Sequence, residues 1–122
     1  KQYEIDTIYT HWAGDSNQDH INTFKTTMAA ARYIPNVYCY EQIPIPRLTE
    51  NLININYYVN IDNTFHDKIK AAECHKSQFD KYKKVGLDVG KNLKRMAEYR
   101  GIQANCKYAE GFHIIKKVEN DY

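Results

Sequence analysis

Residues 52–61 of the chain read LININYYVNI, and this stretch decides the predicted fold. Every second position from Ile53 to Ile61 is apolar or aromatic, and three of the four positions between them are asparagine. Successive side chains of a strand point to opposite faces, so this period of two predicts a strand with one apolar and one polar face. We expect this strand to lie at the centre of a sheet.

The preceding residues predict a strand, a helix and a second strand. Residues 3–12 carry apolar and aromatic side chains at even spacing before a glycine-containing turn, which indicates a first strand. A helix is predicted over residues 16–34, because Ser16 suits its N-cap, apolar residues recur at intervals of three and four, and Pro35 ends it. Residues 37–43 are the predicted partner strand.

The C-terminal half combines a helical insert with an ambiguous end. Residues 64–85 carry apolar side chains at helical spacing and are followed by Gly86, which predicts a helix with a glycine stop. Residues 91–99 suit either a short helix or a strand, whereas residues 102–108 alternate as a strand does. A last strand is predicted around residues 112–115.

The length and composition of the chain limit its organisation. Its 122 residues, 43% of them hydrophobic, suffice for one core and are too few for two domains of ordinary size. We therefore predict one α+β domain over residues 1–122. No apolar run approaches the ~20 residues that a membrane helix needs, so we expect no membrane among its partners. The chain begins at Lys1 and not at methionine, which fits a mature secreted protein or a trimmed chain.

The three cysteines favour a disulfide over a metal site. Cys39, Cys74 and Cys106 are odd in number and lack the Cys/His spacing of zinc sites, so no metal is predicted. If the protein is secreted, we expect a disulfide between Cys39 and Cys106, since it would join an early strand to a late one and close a long loop. Three buried free thiols in a reducing compartment are the alternative.

Positive charge is concentrated in the second half of the chain. Residues 62–122 carry thirteen basic and nine acidic side chains, whereas residues 1–61 carry four basic and six acidic ones. The basic clusters within residues 81–84 and 91–95 are suited to phosphates, because basic side chains bind nucleic acids by displacing counterions. Solvated helix faces are the alternative interpretation.

The sequence contains no complete catalytic or cofactor motif. Its five histidines lack the spacing that places two of them on one helical face around a metal, and its five glycines are scattered and do not form a phosphate-binding loop. We therefore expect no cofactor and no catalytic residue, and a protein that works by binding. The eleven tyrosines suit this interpretation where they are exposed, since they can stack on bases or anchor a partner. Buried tyrosines would only fill the sheet faces.

Three short segments and the order of the elements resemble a known family. The segments are Tyr9-Thr10 in the first strand, Ala30-Ala31-Arg32-Tyr33-Ile34-Pro35-Asn36-Val37-Tyr38-Cys39-Tyr40-Glu41 after the helix, and Tyr57-Tyr58 in the alternating strand. The chain resembles the small fungal guanyl-specific ribonucleases, and still more their inactive relatives, the RNase-like effectors secreted by cereal powdery mildew fungi (RALPH effectors). This resemblance implies an RNase-like fold, with one N-terminal helix packed on a central antiparallel sheet and the helix at 64–85 as an insert.

The resemblance also implies where catalytic groups are missing. RNA cleavage by attack of the 2′-hydroxyl needs a base, an acid and a cation for the developing charge. The family's histidine base falls at Asn36 and its glutamate at Val59, and neither side chain has the required proton chemistry. The family's phosphate-contacting tyrosine corresponds to Tyr38 or Tyr40, and its arginine corresponds to Arg95.

The function implied is that of a secreted, non-catalytic virulence effector that acts inside or at a plant host cell, binds a host protein or RNA, and is exposed to recognition by a plant immune receptor. The predicted binding residues are Tyr38, Tyr40, Tyr58, Lys81, Lys84, Lys91 and Arg95. One alternative is an active ribonuclease or toxin with a rearranged site, in which a histidine works with Glu41 or Glu50. Another is an interaction or toxin module unrelated to ribonucleases.

Overall fold

The structure is a computed structural model that describes residues 4–14, 16–42 and 52–121. These residues form an α+β fold, so the fold class predicted from the sequence is confirmed. In chain order its elements are β1 (Thr7–Thr10), α1 (Gln18–Ala30), β2 (Asn36–Tyr40), β3 (Tyr57–Asn60), α2 (Phe65–Glu73), α3 (Lys76–Lys83), α4 (Val89–Ala104) and β4 (Ala109–Lys116). The described strands form one sheet in the order β1-β2-β4-β3.

The strand arrangement corrects the expected central antiparallel sheet. β1 pairs in parallel with β2, with Thr7 opposite Asn36 and Thr10 opposite Cys39, whereas β2 pairs antiparallel with β4. The sheet is mixed because α1 connects β1 to β2, and a helical crossover allows the parallel pairing that a tight hairpin does not. The strand predicted at 52–61 is regular only over β3 and lies at the edge of the described sheet, since β4 occupies the position between β2 and β3.

Three further predicted strands are confirmed with different bounds. β1 lies within the strand predicted at 3–12, and β2 overlaps the strand predicted at 37–43, whose last residue lies outside the described part of the chain. The strand predicted at 112–115 is confirmed as part of β4. These three strands thus form where the alternating pattern indicates, while their ends depend on neighbouring strands.

α1 confirms the first predicted helix with shorter bounds. Its N-cap is Asn17 and not Ser16, because the side-chain oxygen of Asn17 accepts hydrogen bonds from two backbone N–H groups of the first turn, at 2.9 and 3.3 Å. Such a cap satisfies donors that have no partner within the helix. The hydroxyl of Thr10 in β1 donates to that of Thr27, at 3.1 Å, so α1 lies against one face of β1.

The helical insert predicted at 64–85 is two helices. α2 and α3 are separate because His75, with φ −87° and ψ 53°, leaves helical geometry between them. Gly86, predicted as the helix stop, follows α3 with a φ of 82°. Glycine adopts this left-handed conformation without the steric cost that a Cβ imposes, so the chain turns here into α4.

The strand predicted at 102–108 is wrong, because α4 continues through Ala104 and ends at Asn105 in a left-handed conformation (φ 58°, ψ 46°). The helical period prevails because α4 has a buried face with a spacing of four residues. Its members are Val89, Leu93, Ala97 and Gly101. The alternation of residues 102–108 therefore comes from a helix end followed by a turn.

The described residues form two compact units. The first unit holds β1, α1, β2, residues 52–57 and residues 112–121, and the second holds residues 58–111. The buried side chains of the first unit include Thr10, Ala31, Val37, Tyr38, Cys39 and Phe112. The core of the second unit contains Ile61, Phe65, Ala97 and Tyr108. The single domain predicted for residues 1–122 stays a prediction. Among the described helices, none combines the length and apolar character needed to cross a membrane.

Candidate functional site

Tyr38, the first of the predicted tyrosines, belongs to an aromatic cluster in the first unit. It lies opposite Tyr9 in the sheet register, with the ring centres 5.5 Å apart, and it stacks on Tyr57 at 5.3 Å with nearly parallel rings. Phe112 completes the cluster, 5.4 Å from Tyr9. Tyr38 is only 6% exposed, whereas Tyr9 is 54% exposed. Tyr38 therefore fills a sheet face.

Tyr40 is joined to a pair of histidines in the same unit. Its hydroxyl oxygen lies 2.9 Å from Nε2 and 3.1 Å from Nδ1 of His11, and the side-chain nitrogen of Gln42 lies 2.5 Å from the same Nδ1. The His11 ring stacks on His20 of α1, with the ring centres 4.1 Å apart and 10° between the planes. Burial raises the pKa of Tyr40, an effect that the hydrogen bond to Gln42 opposes. The phenol is therefore neutral and takes part through its hydroxyl.

The stacked rings of His11 and His20 are poorly placed to bind one metal ion. Because the amide nitrogen of Gln42 can only donate, Nδ1 of His11 is the acceptor of that contact, and a neutral His11 ring then carries its proton on Nε2. The oxygen of Tyr40 lies at nearly equal distances from both ring nitrogens. The lone pair of an imidazole lies in the ring plane, so two nearly parallel rings do not direct their lone pairs at one ion. In residues 4–14, 16–42 and 52–121, no three metal-ligating side chains gather around a common point.

Asn36 and Val59 occupy structural roles. The side-chain nitrogen of Asn36 donates to the backbone oxygen of Asp6 at 3.1 Å, and its side-chain oxygen accepts from the backbone N–H of Val118 at 3.4 Å. Val59 packs against the apolar core of the second unit. These are the two positions that the resemblance assigns to a base and a glutamate, and here both serve the fold.

Tyr58, the third predicted tyrosine, begins a chain of contacts within the second unit. Its hydroxyl donates to the side-chain oxygen of Gln103 at 3.2 Å, and the same oxygen accepts a hydrogen bond from Nη1 of Arg100 at 2.8 Å. The guanidinium carbon of Arg100 lies 5.1 Å from the ring centre of Tyr99, a cation–π distance. Tyr58 is therefore linked to α4 by its hydroxyl group, and the series of contacts ends at the exposed ring of Tyr99.

The four predicted basic residues lie on α3, on α4 or in the turn between them. They are Lys81, Lys84, Lys91 and Arg95, and all four are exposed. Within the described part of the chain, none of them has a carboxylate at salt-bridge distance. Residues 76–95 carry seven basic and two acidic side chains, a net charge of +5. Uncompensated positive charge of this density attracts polyanions.

Local structure fixes the start of α4, where two of these basic residues stand. The carboxylate of Asp88 caps the helix by accepting a hydrogen bond from the backbone N–H of Lys91 at 3.0 Å. Arg95 follows one turn later, and its guanidinium makes a long hydrogen bond of 3.5 Å to the side chain of Asn92. The two cations therefore stand one above the other on a well-anchored helix.

A depression of about 430 Å³ lies where α3 meets the start of α4. Its lining residues are Phe79, Asp80, Lys83, Gly86, Leu87, Asp88 and Val89. Two carboxylates offset the one lysine, so the depression itself does not favour an anionic ligand. We therefore assign the candidate interface to the exposed cations and not to this depression.

The predicted disulfide is not present in the structure, because Cys39 and Cys106 are both free thiols. Cys39 is buried in β2, and the thiol of Cys106 donates to the backbone oxygen of Tyr108 at 3.3 Å. The pairing stays a prediction for an oxidising compartment. Cys74 is also free, and it is exposed.

Sequence reasoning missed Tyr99 as a member of the candidate interface. Lys91, Arg95 and Tyr99 follow one another at intervals of four on α4, and all three are exposed. Side chains at this spacing share one helix face, about 5–6 Å apart. The spacing is visible in the sequence, but it has meaning only once residues 89–104 are known to be one helix. We call Lys91, Arg95 and Tyr99 the α4 stripe.

Comparison with known proteins adds no family to these observations. No model of a known protein family matches the sequence, and no curated protein shows significant similarity to it. The likeness to RNase-like effectors rests on the sequence segments quoted above and stays a proposal.

Proposed function

We propose that the protein is a secreted, non-catalytic RNase-like virulence effector that binds RNA inside host cells. We further propose that a plant immune receptor recognises the exposed surface of this effector. RNA is favoured over a host protein because the exposed predicted residues are cations, whereas the predicted tyrosines Tyr38, Tyr40 and Tyr58 are engaged within the fold.

The roles of Asn36 and Val59 support the non-catalytic part of the proposal. A general base must accept a proton near neutral pH, and neither an amide nor an aliphatic side chain does so. Both ends of the Asn36 amide bind backbone groups, and the partly buried Val59 packs against the core of the second unit. Restoring a histidine at position 36 would therefore cost structural hydrogen bonds before it added any chemistry.

The observation that carries the RNA proposal is the set of exposed cations on α3, α4 and their turn that lack carboxylate partners among the described residues. Each lysine or arginine that neutralises a phosphate releases a counterion. The logarithm of the affinity for RNA should therefore fall linearly with the logarithm of the salt concentration. The slope counts the phosphates contacted.

The test measures the affinity for a short labelled RNA at several salt concentrations. Replacing Lys84 or Arg95 by glutamate should weaken binding. It should also reduce the magnitude of the salt slope by about 1, which corresponds to the loss of one phosphate contact. Lys25→Glu is the matched control, because Lys25 is exposed on α1 and its reversal changes the net charge equally. Equal effects from all three changes would point to net charge alone. An absent or salt-insensitive interaction would reject RNA and leave a host protein as the partner.

The histidine pair favours a second candidate function, a ribonuclease with a rearranged site. The ring centres of His11 and His20 lie 4.1 Å apart, and the hydroxyl oxygen of Tyr40 lies 2.9 Å from Nε2 of His11. Two imidazoles this close can supply both an acid and a base. Of the two carboxylates predicted to assist, Glu41 follows Tyr40 in sequence, and Glu50 lies outside the described residues.

A cleavage assay separates the two candidate functions. The unmodified protein should leave a labelled oligoribonucleotide intact if the non-catalytic proposal is correct. Cleavage that disappears with His11→Ala or His20→Ala, and persists with the exposed control His75→Ala, would instead establish the ribonuclease.

A further inference from the structure

The α4 stripe places an aromatic ring directly beyond two cations. Lys91, Arg95 and Tyr99 stand on successive turns of one helix, and Tyr99 is 55% exposed although it is a large aromatic residue. A nucleic acid strand presents its phosphates and its bases at different positions along its length. A helix face with cations at one end and a ring at the other therefore offers a contact for each group.

Contacts within the second unit hold Tyr99 in place. Arg100 lies 5.1 Å over its ring, and Gln103 binds Arg100 at 2.8 Å. The side-chain oxygen of Gln103 also accepts a hydrogen bond from the hydroxyl of Tyr58 at 3.2 Å. A ring fixed in this way loses little conformational freedom when a ligand binds, which is a property of effective contact residues.

We infer that Tyr99 stacks on an unpaired base and that the RNA bound by this protein is single-stranded. The inference rests on the proposed RNA binding and adds the form of the ligand. Bases in a duplex are stacked on one another and covered, whereas those of a single strand are open to an aromatic ring. Cations alone would bind either form, so the ring is the group that distinguishes them. Tyr58 is then a positioning residue, since it acts on Tyr99 through Gln103 and Arg100.

The test compares a short labelled RNA of mixed sequence with the same strand annealed to its complement. Tyr99→Ala should weaken binding of the single strand about 5- to 150-fold, the range expected from the loss of one stacked base. It should leave the duplex affinity and the salt slope unchanged, because no charge is removed. Tyr99→Phe should bind as the unmodified protein does, and Tyr99→Leu, which keeps apolar bulk without an aromatic ring, should behave as the alanine variant does.

Two further variants complete the experiment. Ile102→Ala is the matched control, because Ile102 is 78% exposed on the same helix and has no ring; it should leave both affinities unchanged. Tyr58→Phe, which removes only the hydroxyl that binds Gln103, should lower the single-strand affinity by less than Tyr99→Ala and leave the duplex affinity unchanged.

The outcomes separate this inference from the function on which it rests. If the single strand binds and Arg95→Glu lowers the salt slope, but Tyr99→Ala has no effect, RNA binding stands and the stacking role of Tyr99 is rejected. Equal losses for single strand and duplex with Tyr99→Ala would also reject it. If neither form binds, both the inference and RNA binding are rejected.

Discussion

The hydroxyl oxygen of Tyr40 lies 2.9 Å from Nε2 of His11, and this contact joins the end of β2 to the segment that follows β1. Tyr40→Phe removes the oxygen and keeps the ring. We expect it to lower the free energy of unfolding by about 0.5–1.5 kcal/mol, the net contribution of one partly buried hydrogen bond. Urea unfolding monitored by circular dichroism measures the change.

Tyr33→Phe is the control for this prediction. Tyr33 is 88% exposed, so the loss of its hydroxyl should change the free energy of unfolding by less than about 0.5 kcal/mol. Equal stability of the Tyr40 and Tyr33 variants would mean that the Tyr40–His11 contact contributes nothing to the fold.

Gly101 and Gly90 lie in the same helix and should respond in opposite directions to alanine. A Cβ at position 101 would lie 2.5 Å from the backbone oxygen of Lys107, so the turn after α4 must move. We expect Gly101→Ala to destabilise the protein by about 1–3 kcal/mol in spite of the better helix propensity of alanine.

Gly90→Ala has room for its methyl group, because the nearest atoms, in Asp88 and Phe79, lie 3.6 and 3.8 Å away. It should stabilise the protein by up to about 1 kcal/mol, since glycine is the poorer helix former. Thermal unfolding of the two variants side by side measures both effects. A stable Gly101 variant would show that the chain does not approach α4 so closely.

Phe65 carries much of the packing in the second unit. It is 4% exposed and stacks on Tyr108, with the ring centres 3.9 Å apart. Phe65→Ala should cost about 3–5 kcal/mol, because it removes a buried ring and leaves a cavity. Lys70→Ala, at an exposed position of α2, should change the free energy of unfolding by less than about 0.5 kcal/mol in the same urea titration.

Helices and strands that have a local sequence pattern were predicted better than the way the strands pair in the sheet. The apolar spacing that gives α1 and the alternation that gives β3 act over a few residues, so both can be seen in the sequence. The position of β3 at the sheet edge depends on β4, which comes from the other end of the chain. No local pattern encodes such a pairing. The strand expected at 102–108 failed because alternation over a few residues also fits the end of a helix.

The candidate interface was predictable in its charges and not in its aromatic part. Lysine and arginine are almost always exposed, so the residue type alone predicts that Lys84 and Arg95 lie on the surface. Tyrosine occurs both in protein interiors and on protein surfaces. The sequence alone does not show that Tyr38 is buried while Tyr99 is exposed. The difference arises from tertiary packing: Tyr38 lies between other rings of the sheet, and Tyr99 faces away from the buried side of α4.

The thiol of Cys39 should make stability depend on alkaline pH. Burial raises its pKa from the ordinary value of 9.0 to about 11, because a buried thiolate is poorly solvated. The folded protein therefore holds this proton more tightly than the unfolded chain, so the contribution to stability is complete below pH 9 and is lost as the pH rises from 9 towards 11. Cys39→Ala removes this dependence, and the free energy of unfolding of the unmodified protein should fall relative to that of the variant over this range. A difference that stays constant from pH 9 to 11 would contradict the raised pKa, while Cys74→Ala, at an exposed thiol, should retain the full dependence.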